Sequence, residues 1–261
     1  MDLGLKGSKV LITGGSKGIG LGIAKSLAGE GANIVIGART KENLISAATE
    51  IKKLGVQCYT VETDFSTDSG CKDFVEKGAN QLNGLDILVN NVGVMRPGTL
   101  QSLTDETWKE VLDVNLLSFF RTAKYAEKFL ENSLNGRILN ISGFSGTQLF
   151  PGAITTSLPN AGIHALSKQL ASIFAKSNVL VNSICPGTIE TEGWEERSEK
   201  LGKLKGMSAK EVTDSHIEMT LLKRLGTSEE IGDVAAFLVS KKNSYMTGTV
   251  VEVCGGVTKY I

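Results

Sequence analysis

The chain has 261 residues and sets 28 lysines and arginines against 28 aspartates and glutamates. Zero net charge excludes the basic excess by which nucleic-acid binders displace counterions, so no nucleic-acid partner is expected. With 41% hydrophobic and 21% charged residues the chain is neither disordered nor fibrous, and no apolar run approaches the roughly 18 residues of a membrane span.

In chain order, Lys9–Ile12 is a short apolar run that reads as a first strand. It ends at a glycine-rich turn, and a helical pattern follows over Ile19–Ala28. A second β-branched run, Asn33–Ile36, precedes a helix over Lys41–Lys53. Cys58–Val61 reads as the third strand and Asp68–Leu82 as a helix. Leu85–Val89, a helix over Asp105–Leu130, Gly136–Ile141, a helix over Asn160–Lys176, Val179–Ile184 and a last strand, Thr249–Val253, complete the series. Apolar strands alternating with helices predict a seven-stranded parallel sheet covered on both faces, in one α/β domain of Rossmann-type, doubly wound topology. Glu190–Leu222 departs from the alternation. It is charged, carries Trp194, Leu201, Leu204, Met207 and Met219, and reads as one or two small helices. Ligands of such folds sit at the carboxyl ends of the strands, so residues 190–222 are expected to form a lid over a small-molecule substrate.

The turn Thr13-Gly14-Gly15-Ser16-Lys17-Gly18-Ile19-Gly20 lies between a strand and a helix. There glycines admit backbone N–H groups to a pyrophosphate and the helix N-terminus adds partial positive charge. The end of the second strand separates the cofactors, since an acid would bind the 2′-hydroxyl of NAD and an arginine accommodates a 2′-phosphate. Arg39 and Thr40 stand there, without an acid, and Lys17 adds a second cation. NADP(H) is the expected cofactor. The four cysteines, Cys58, Cys71, Cys185 and Cys254, have no CxxC spacing, and only His164 and His216 occur. No metal site is expected, and reduced thiols fit a cytoplasmic protein. No leader segment is visible at the N-terminus.

With these motifs in order the sequence resembles the short-chain dehydrogenase/reductase family, in particular its branch of 3-oxoacyl-carrier-protein reductases. The resemblance runs nearly end to end. Thr13–Gly20 matches the family's cofactor turn. Asp64, followed by Phe65, matches the acid set against the adenine. Asn90-Asn91-Val92-Gly93 matches the signature after the fourth strand, and Asn115 the asparagine of the proton relay. Pro186-Gly187-Thr188-Ile189-Glu190-Thr191 matches the segment at the nicotinamide end. Arg224–Ile231 and Tyr245–Gly248 match the C-terminal signatures. The resemblance further implies a homotetramer built through the helices around Leu116–Phe120 and Ile163–Phe174.

Catalysis in the family uses a serine, a tyrosine and a lysine. The tyrosine protonates the carbonyl oxygen, and the lysine lowers its pKa and holds the nicotinamide ribose. Lys168 follows His164 by four residues but stands only 18 residues before Pro186, whereas Asn160 stands 26 before it, as the family's lysine does. In that register the triad reads Gly143, Thr156 and Asn160, and only Asn115 of the family's four polar residues remains. The loop Ser142–Pro159 offers Ser142, Ser145, Thr147, Thr155, Thr156 and Ser157 as hydroxyls. His164 lies one turn beyond Asn160 on the same side and is either a proton donor or a helix residue packed on the sheet. His216 is expected to be exposed, and Cys185 to be a small buried hydrophobe. Trp194 and Met219 either line a substrate cavity or pack the lid on itself. The leading expectation is an NADP(H)-dependent oxidoreductase with Asn115, Thr156, Asn160 and His164 at an atypical active site. A catalytically silent NADP(H)-binding subunit or sensor, or a non-redox lyase or isomerase, stands beside it.

Overall fold

A computed structural model describes residues 2–149 and 153–259. Seven strands form one parallel sheet: β1 (Lys9–Thr13), β2 (Asn33–Ala38), β3 (Cys58–Glu62), β4 (Ile87–Asn90), β5 (Arg137–Ile141), β6 (Leu180–Pro186) and β7 (Val250–Val253), in the spatial order β3-β2-β1-β4-β5-β6-β7. The winding reverses between β1 and β4, whose registers pair Val10 with Ile87 and Ile12 with Val89. That reversal opens a crevice at the strands' carboxyl ends.

Helices cover both faces. On one side lie α1 (Gly18–Gly29), α2 (Lys41–Lys52) and α9 (Ser228–Val239), packed through Ile23, Leu27, Leu44 and Ile231 against Ile12, Ile34 and Val89. On the other lie α3 (Asp68–Leu82), α5 (Ser118–Leu130) and α6 (Ile154–Phe174), packed through Phe74, Ala123 and Phe174 against Leu11, Leu88 and Val181. These side chains are essentially inaccessible to water, and apolar burial of about 25 cal/mol per Å² is the main force holding the layers together. Helices α1 and α9 approach until a Cβ on Gly22 would meet Ser228 at 2.6 Å and one on Gly232 would meet Ser26 Oγ at 2.2 Å.

Two expected helices differ from their reading. The stretch 105–130 is not one regular helix: α4 (Asp105–Leu112) passes through a π-helical turn, Asp113–Leu117, into α5. Asn115 lies within that turn, and its side chain leaves the helix to bond the Val94 backbone. Helix α6 starts at Ile154 rather than Asn160 and carries Pro159 within it. Proline costs the helix one backbone hydrogen bond, and its presence made the first turn read as loop. Thr155, Thr156 and Ser157 therefore sit on that turn, and residues 150–152 of the expected loop lie outside the described residues. The charged segment forms α7 (Glu192–Lys205) and α8 (Ala209–Met219), capped by Thr191 and by a Ser208/Glu211 capping box. Among the described residues no helix is long and apolar enough to cross a membrane.

Candidate active site

Thr13 closes β1 with its hydroxyl accepting from Asn91 N at 2.9 Å and Val92 N at 3.1 Å. Asn91 Nδ2 donates back to the Thr13 and Gly14 carbonyls, both at 3.1 Å. This tie across the switch point fixes the glycine turn. Gly14 and Gly18 have φ of +67° and +53°, a left-handed backbone that glycine adopts at little cost. A Cβ on Gly20 would lie 2.3 Å from the Gly14 carbonyl oxygen, so the first turn of α1 presses directly on the loop. Ser16 is half-buried within this turn. Ile19 lines a cleft of about 550 Å³ that runs over the strand ends.

Asn91, Val92, Gly93, Arg39 and Thr191 line the same cleft. Beside it, Asp64 and Phe65 join Arg39 around a small recess of about 50 Å³. Asp64 is pinned by Ser66 N at 2.9 Å, and Phe65 is buried edge-on to Phe74. Arg39 is exposed and makes no ion pair among the described residues. Thr40 is exposed beside it, ahead of α2. Lys17 is not free: its ammonium pairs with Glu192 at 3.0 Å, which joins the glycine turn to α7. Gly187 and Ile189 face a neighbouring crevice with Cys254, and Pro186 is buried at the end of β6. These three support the loop that carries Thr191 rather than line the cleft. The glycine cradle, the unpaired Arg39 and the Asp64 recess fit an adenine dinucleotide bearing a 2′-phosphate.

Asn90 differs from Asn91. It is buried in the sheet, donating to Asn140 Oδ1 at 2.9 Å and accepting from Thr122 at 2.7 Å, while Asn140 reaches Ser167 at 2.9 Å. Its role is to satisfy a polar ladder inside the core.

At the other end of the cleft stand Asn115, Ser142, Thr156 and Asn160. Asn115 accepts from Val94 N at 2.7 Å and donates to Val94 O at 2.8 Å. Asn160 Nδ2 donates to Ser145 Oγ at 2.9 Å, and the Thr156 hydroxyl donates to Ala153 O at 3.0 Å. A Cβ on Gly143 would come within 2.9 Å of Asn160 Nδ2, so Gly143 and Asn160 are direct neighbours. His164 does not line the cleft. Its Nε2 bonds Ser142 Oγ at 2.8 Å, and Ser142 does line it. Burial pushes the imidazole pKa below its ordinary value, and Glu252 pulls against that shift. Lys168 is exposed and packs beside Gly248, away from the cleft.

The second histidine is not exposed as expected. His216 is half-buried, its Nδ1 bonding Thr188 Oγ1 at 2.8 Å and its ring edge-on to Trp194. Burial, with Arg197 and Lys205 adding to it, pushes its pKa down to about 4. Trp194 packs α7 on α8 through an indole bond to Thr213 at 3.1 Å, whereas Met219 lines a second chamber of about 560 Å³. Cys185 is buried, and burial raises its thiol to about 12, an inert group as expected. Sequence reasoning missed Arg96, Arg197 and Lys200 in the cleft wall. The spacing Trp194, Arg197, Ser198, Leu201 puts Arg197 on the apolar stripe of α7, the one available signal.

A doubly wound parallel sheet with a glycine turn at its switch point defines a dinucleotide-binding α/β protein. Residues 14–258 match the family profile described as Enoyl-(Acyl carrier protein) reductase. The chain is 34% identical to a 3-oxoacyl-[acyl-carrier-protein] reductase of Aquifex aeolicus over 258 residues, covering 98% of this chain and all of that one. It is 32% identical to an uncharacterized oxidoreductase of Bacillus subtilis, covering 99% of each. Among solved structures, the L-sorbose reductase of Gluconobacter frateurii complexed with NADPH and L-sorbose superposes with a TM-score of 0.94 at 32% identity, covering each chain completely. An actinorhodin polyketide ketoreductase with NADPH gives 0.92 at 29%, covering 97% of this chain and 98% of that one. The chain belongs to the short-chain dehydrogenase/reductase family of oxidoreductases.

Proposed function

We propose that this protein is an NADP(H)-dependent reductase of a small carbonyl compound, acting in the cytoplasm with an atypical active site. The observation that carries this reading is the intact cofactor end: the Gly20 cradle fixed by Asn91, with the unpaired Arg39 at its far side. Similarity to reductases crystallised with NADPH supports it. When bound, NADPH supplies the hydride that reduces the carbonyl carbon. Gly14, Ser16, Lys17, Gly18, Ile19 and Gly20 are assigned to the phosphates, Arg39 and Thr40 to the 2′-phosphate, and Asp64 and Phe65 to the adenine. Asn91, Val92, Gly93, Asn160 and Thr191 are assigned to the nicotinamide half, with Pro186, Gly187 and Ile189 holding the loop that carries Thr191. Residues 190–222 serve as the lid.

Gly143, Thr156 and Asn160 stand where the family has its serine, tyrosine and lysine. A threonine hydroxyl is too weak an acid to replace an activated phenol, and Asn160 has no charge with which to shift a neighbour's pKa. Proton delivery falls to Ser142 on the cleft wall, relaying a proton from His164 behind it. Ser142 gives its hydroxyl proton to the nascent alkoxide and is reprotonated by the imidazolium Nε2 of His164, 2.8 Å away. Asn115 and Asn160 hold water and ribose. The test is NADPH and NADH calorimetry followed by an absorbance screen with ketones, diketones, quinones and 3-oxoacyl thioesters. Tight NADPH binding with turnover that Ser142→Ala and His164→Gln each lower sharply is the expected result. Tight binding without turnover across the panel favours the silent subunit or sensor, a reading supported by the engagement of the Thr156 hydroxyl with Ala153.

The assembly is proposed to be a homotetramer. Leu117 at the end of the π-helical turn, Phe120 on α5, and Leu158 and Ile173 on α6 are 40–58% exposed, an apolar face that a second copy would cover. A monomeric mass by light scattering at micromolar concentration refutes this.

A further inference from the structure

Arg197 is the one arginine on α7, and it faces inward at the junction of two spaces. One is the cleft over the strand ends, and the other is the 560 Å³ chamber walled by Met95, Phe144, Leu201, Leu204 and Met219. Among the described residues only Met95, Thr156 and Arg197 line both. The guanidinium Nε is shut off from solvent and has no hydrogen-bond partner, and no ion pair or hydrogen bond of this side chain exists among the described residues. The Trp194 ring centroid lies 5.9 Å from its guanidinium carbon, a contact that engages none of the N–H groups.

Five cations of the surrounding elements are paired. Arg96 forms a forked pair with Glu110, Lys200 pairs with Glu196, Lys210 with Asp214, Lys223 with Glu218, and Arg224 with Glu230. The carboxylate adjacent in sequence, Glu196, turns to Lys200 and leaves Arg197 bare. Exposed Lys205 lies at the chamber and adds positive charge. An arginine stays charged even where burial lowers its pKa, and a buried unpaired charge is costly. The planar fork matches a carboxylate in bidentate geometry, and the chamber beyond it is apolar.

We infer that Arg197 anchors the carboxylate of the substrate, and that the substrate is an oxo acid whose apolar substituent occupies the chamber. The carbonyl then lies on the cleft side of the junction, beside Thr156. The assignment of the carbonyl rests on the reductase reading: NADPH and one proton convert the oxo acid to the hydroxy acid and NADP+. The anion site itself stands independently of turnover.

The test is calorimetry with octanoate and, as its uncharged counterpart, octanamide, with and without saturating NADP+. Wild type is expected to bind octanoate at least tenfold more tightly than octanamide. Arg197→Gln is expected to weaken octanoate roughly ten- to hundredfold, the worth of a charge-assisted fork, and to leave octanamide unchanged. Arg197→Lys, which keeps the charge and loses the fork, falls between. The melting temperature of Arg197→Gln should match or exceed wild type, since an unpaired charge is removed; a purely structural role against Trp194 would lower it. Equal binding of octanoate and octanamide, no octanoate binding, or an Arg197→Gln protein that binds octanoate like wild type overturns the inference. Inorganic phosphate displacing octanoate at comparable concentration overturns the choice of carboxylate. Reduction of 3-oxooctanoate by NADPH is measured alongside: octanoate discrimination without any NADPH binding overturns the reductase reading and leaves the anchor standing.

Discussion

Substituting Gly20 by alanine places a methyl group 2.3 Å from the Gly14 carbonyl oxygen and 2.5 Å from Asn91 Nδ2. Neither neighbour can yield freely. The carbonyl belongs to the phosphate turn, and Asn91 is held by two donated bonds of 3.1 Å to Thr13 and Gly14. Overpacking of this kind costs about 1–3 kcal/mol, and displacing Asn91 forfeits two hydrogen bonds at about 1 kcal/mol each. The helix propensity of alanine returns about 1 kcal/mol, so the net loss is about 2–4 kcal/mol. For a chain of this size that lowers Tm by roughly 5–10 °C. NADPH affinity should fall at least roughly tenfold, because the displaced carbonyl and amides are those assigned to the pyrophosphate. The control lies at the other end of the same helix. A Cβ on Gly29 meets nothing within 4 Å, so Gly29→Ala is expected to raise stability by about 0.4–1 kcal/mol and leave NADPH binding unchanged. Differential scanning calorimetry and titration with NADPH measure both. A Gly20→Ala protein that melts and binds like wild type refutes the packing argument and the cofactor site with it.

Arg39→Ala should weaken NADPH roughly tenfold or more and leave NADH nearly untouched, since only the 2′-phosphate meets that charge; equal losses for both nucleotides would remove Arg39 from the site. Burial lowers the His164 pKa below the ordinary 6.5, so the imidazolium needed for reduction exists only on the acid side of that lowered value. The kcat for reduction should rise as pH falls through it, the rate of the reverse oxidation should rise with pH, and His164→Gln should flatten both profiles. His216 titrates near 4 in the fold against an ordinary 6.5, so the native state binds fewer protons than the unfolded chain between those values. Its stabilising contribution is complete above 6.5 and is lost as pH falls toward 4, and His216→Gln should reduce the acid-side slope of Tm. Finally, Gly143→Ser, Thr156→Tyr and Asn160→Lys combined should raise reduction of unactivated ketones by roughly 100-fold, the usual worth of a positioned acid; no gain would mean that the register of the three positions is wrong.

Period and punctuation carried most of the fold into the sequence. Alternating apolar runs with glycine or asparagine turns located all seven strands, and the glycine turn of residues 13–20 located the crevice. Beside the local effect of Pro159, both misread elements carry side chains that bond backbone far away in sequence. The π-helical turn at Asp113–Leu117 is held by Asn115 on Val94, 21 residues earlier. The early start of α6 is accompanied by the Thr155 hydroxyl bonding Arg96 O at 2.8 Å, 59 residues earlier. No local propensity encodes either bond.

The same limit applies to the site. The Ser142–His164 bond spans 22 residues, and Lys17–Glu192 joins opposite halves of the chain, so composition and spacing give the members without the pairing. Arg197 is the instructive exception, because its anomaly is local. Seven charged residues accompany it within α7, at Glu192, Glu195, Glu196, Glu199, Lys200, Lys203 and Lys205, and all seven are exposed. Arg197 alone shares the stripe of Trp194, Ser198 and Leu201, an inward face on which a charge is costly without a partner. The fold supplies none, and it opens a cavity on each side of the guanidinium. A half-buried charge with no internal counter-ion, set between a cofactor cleft and an apolar chamber, is stabilised when its counter-ion arrives with the ligand, and that selects anionic over neutral substrates by the desolvation the neutral ones leave uncompensated.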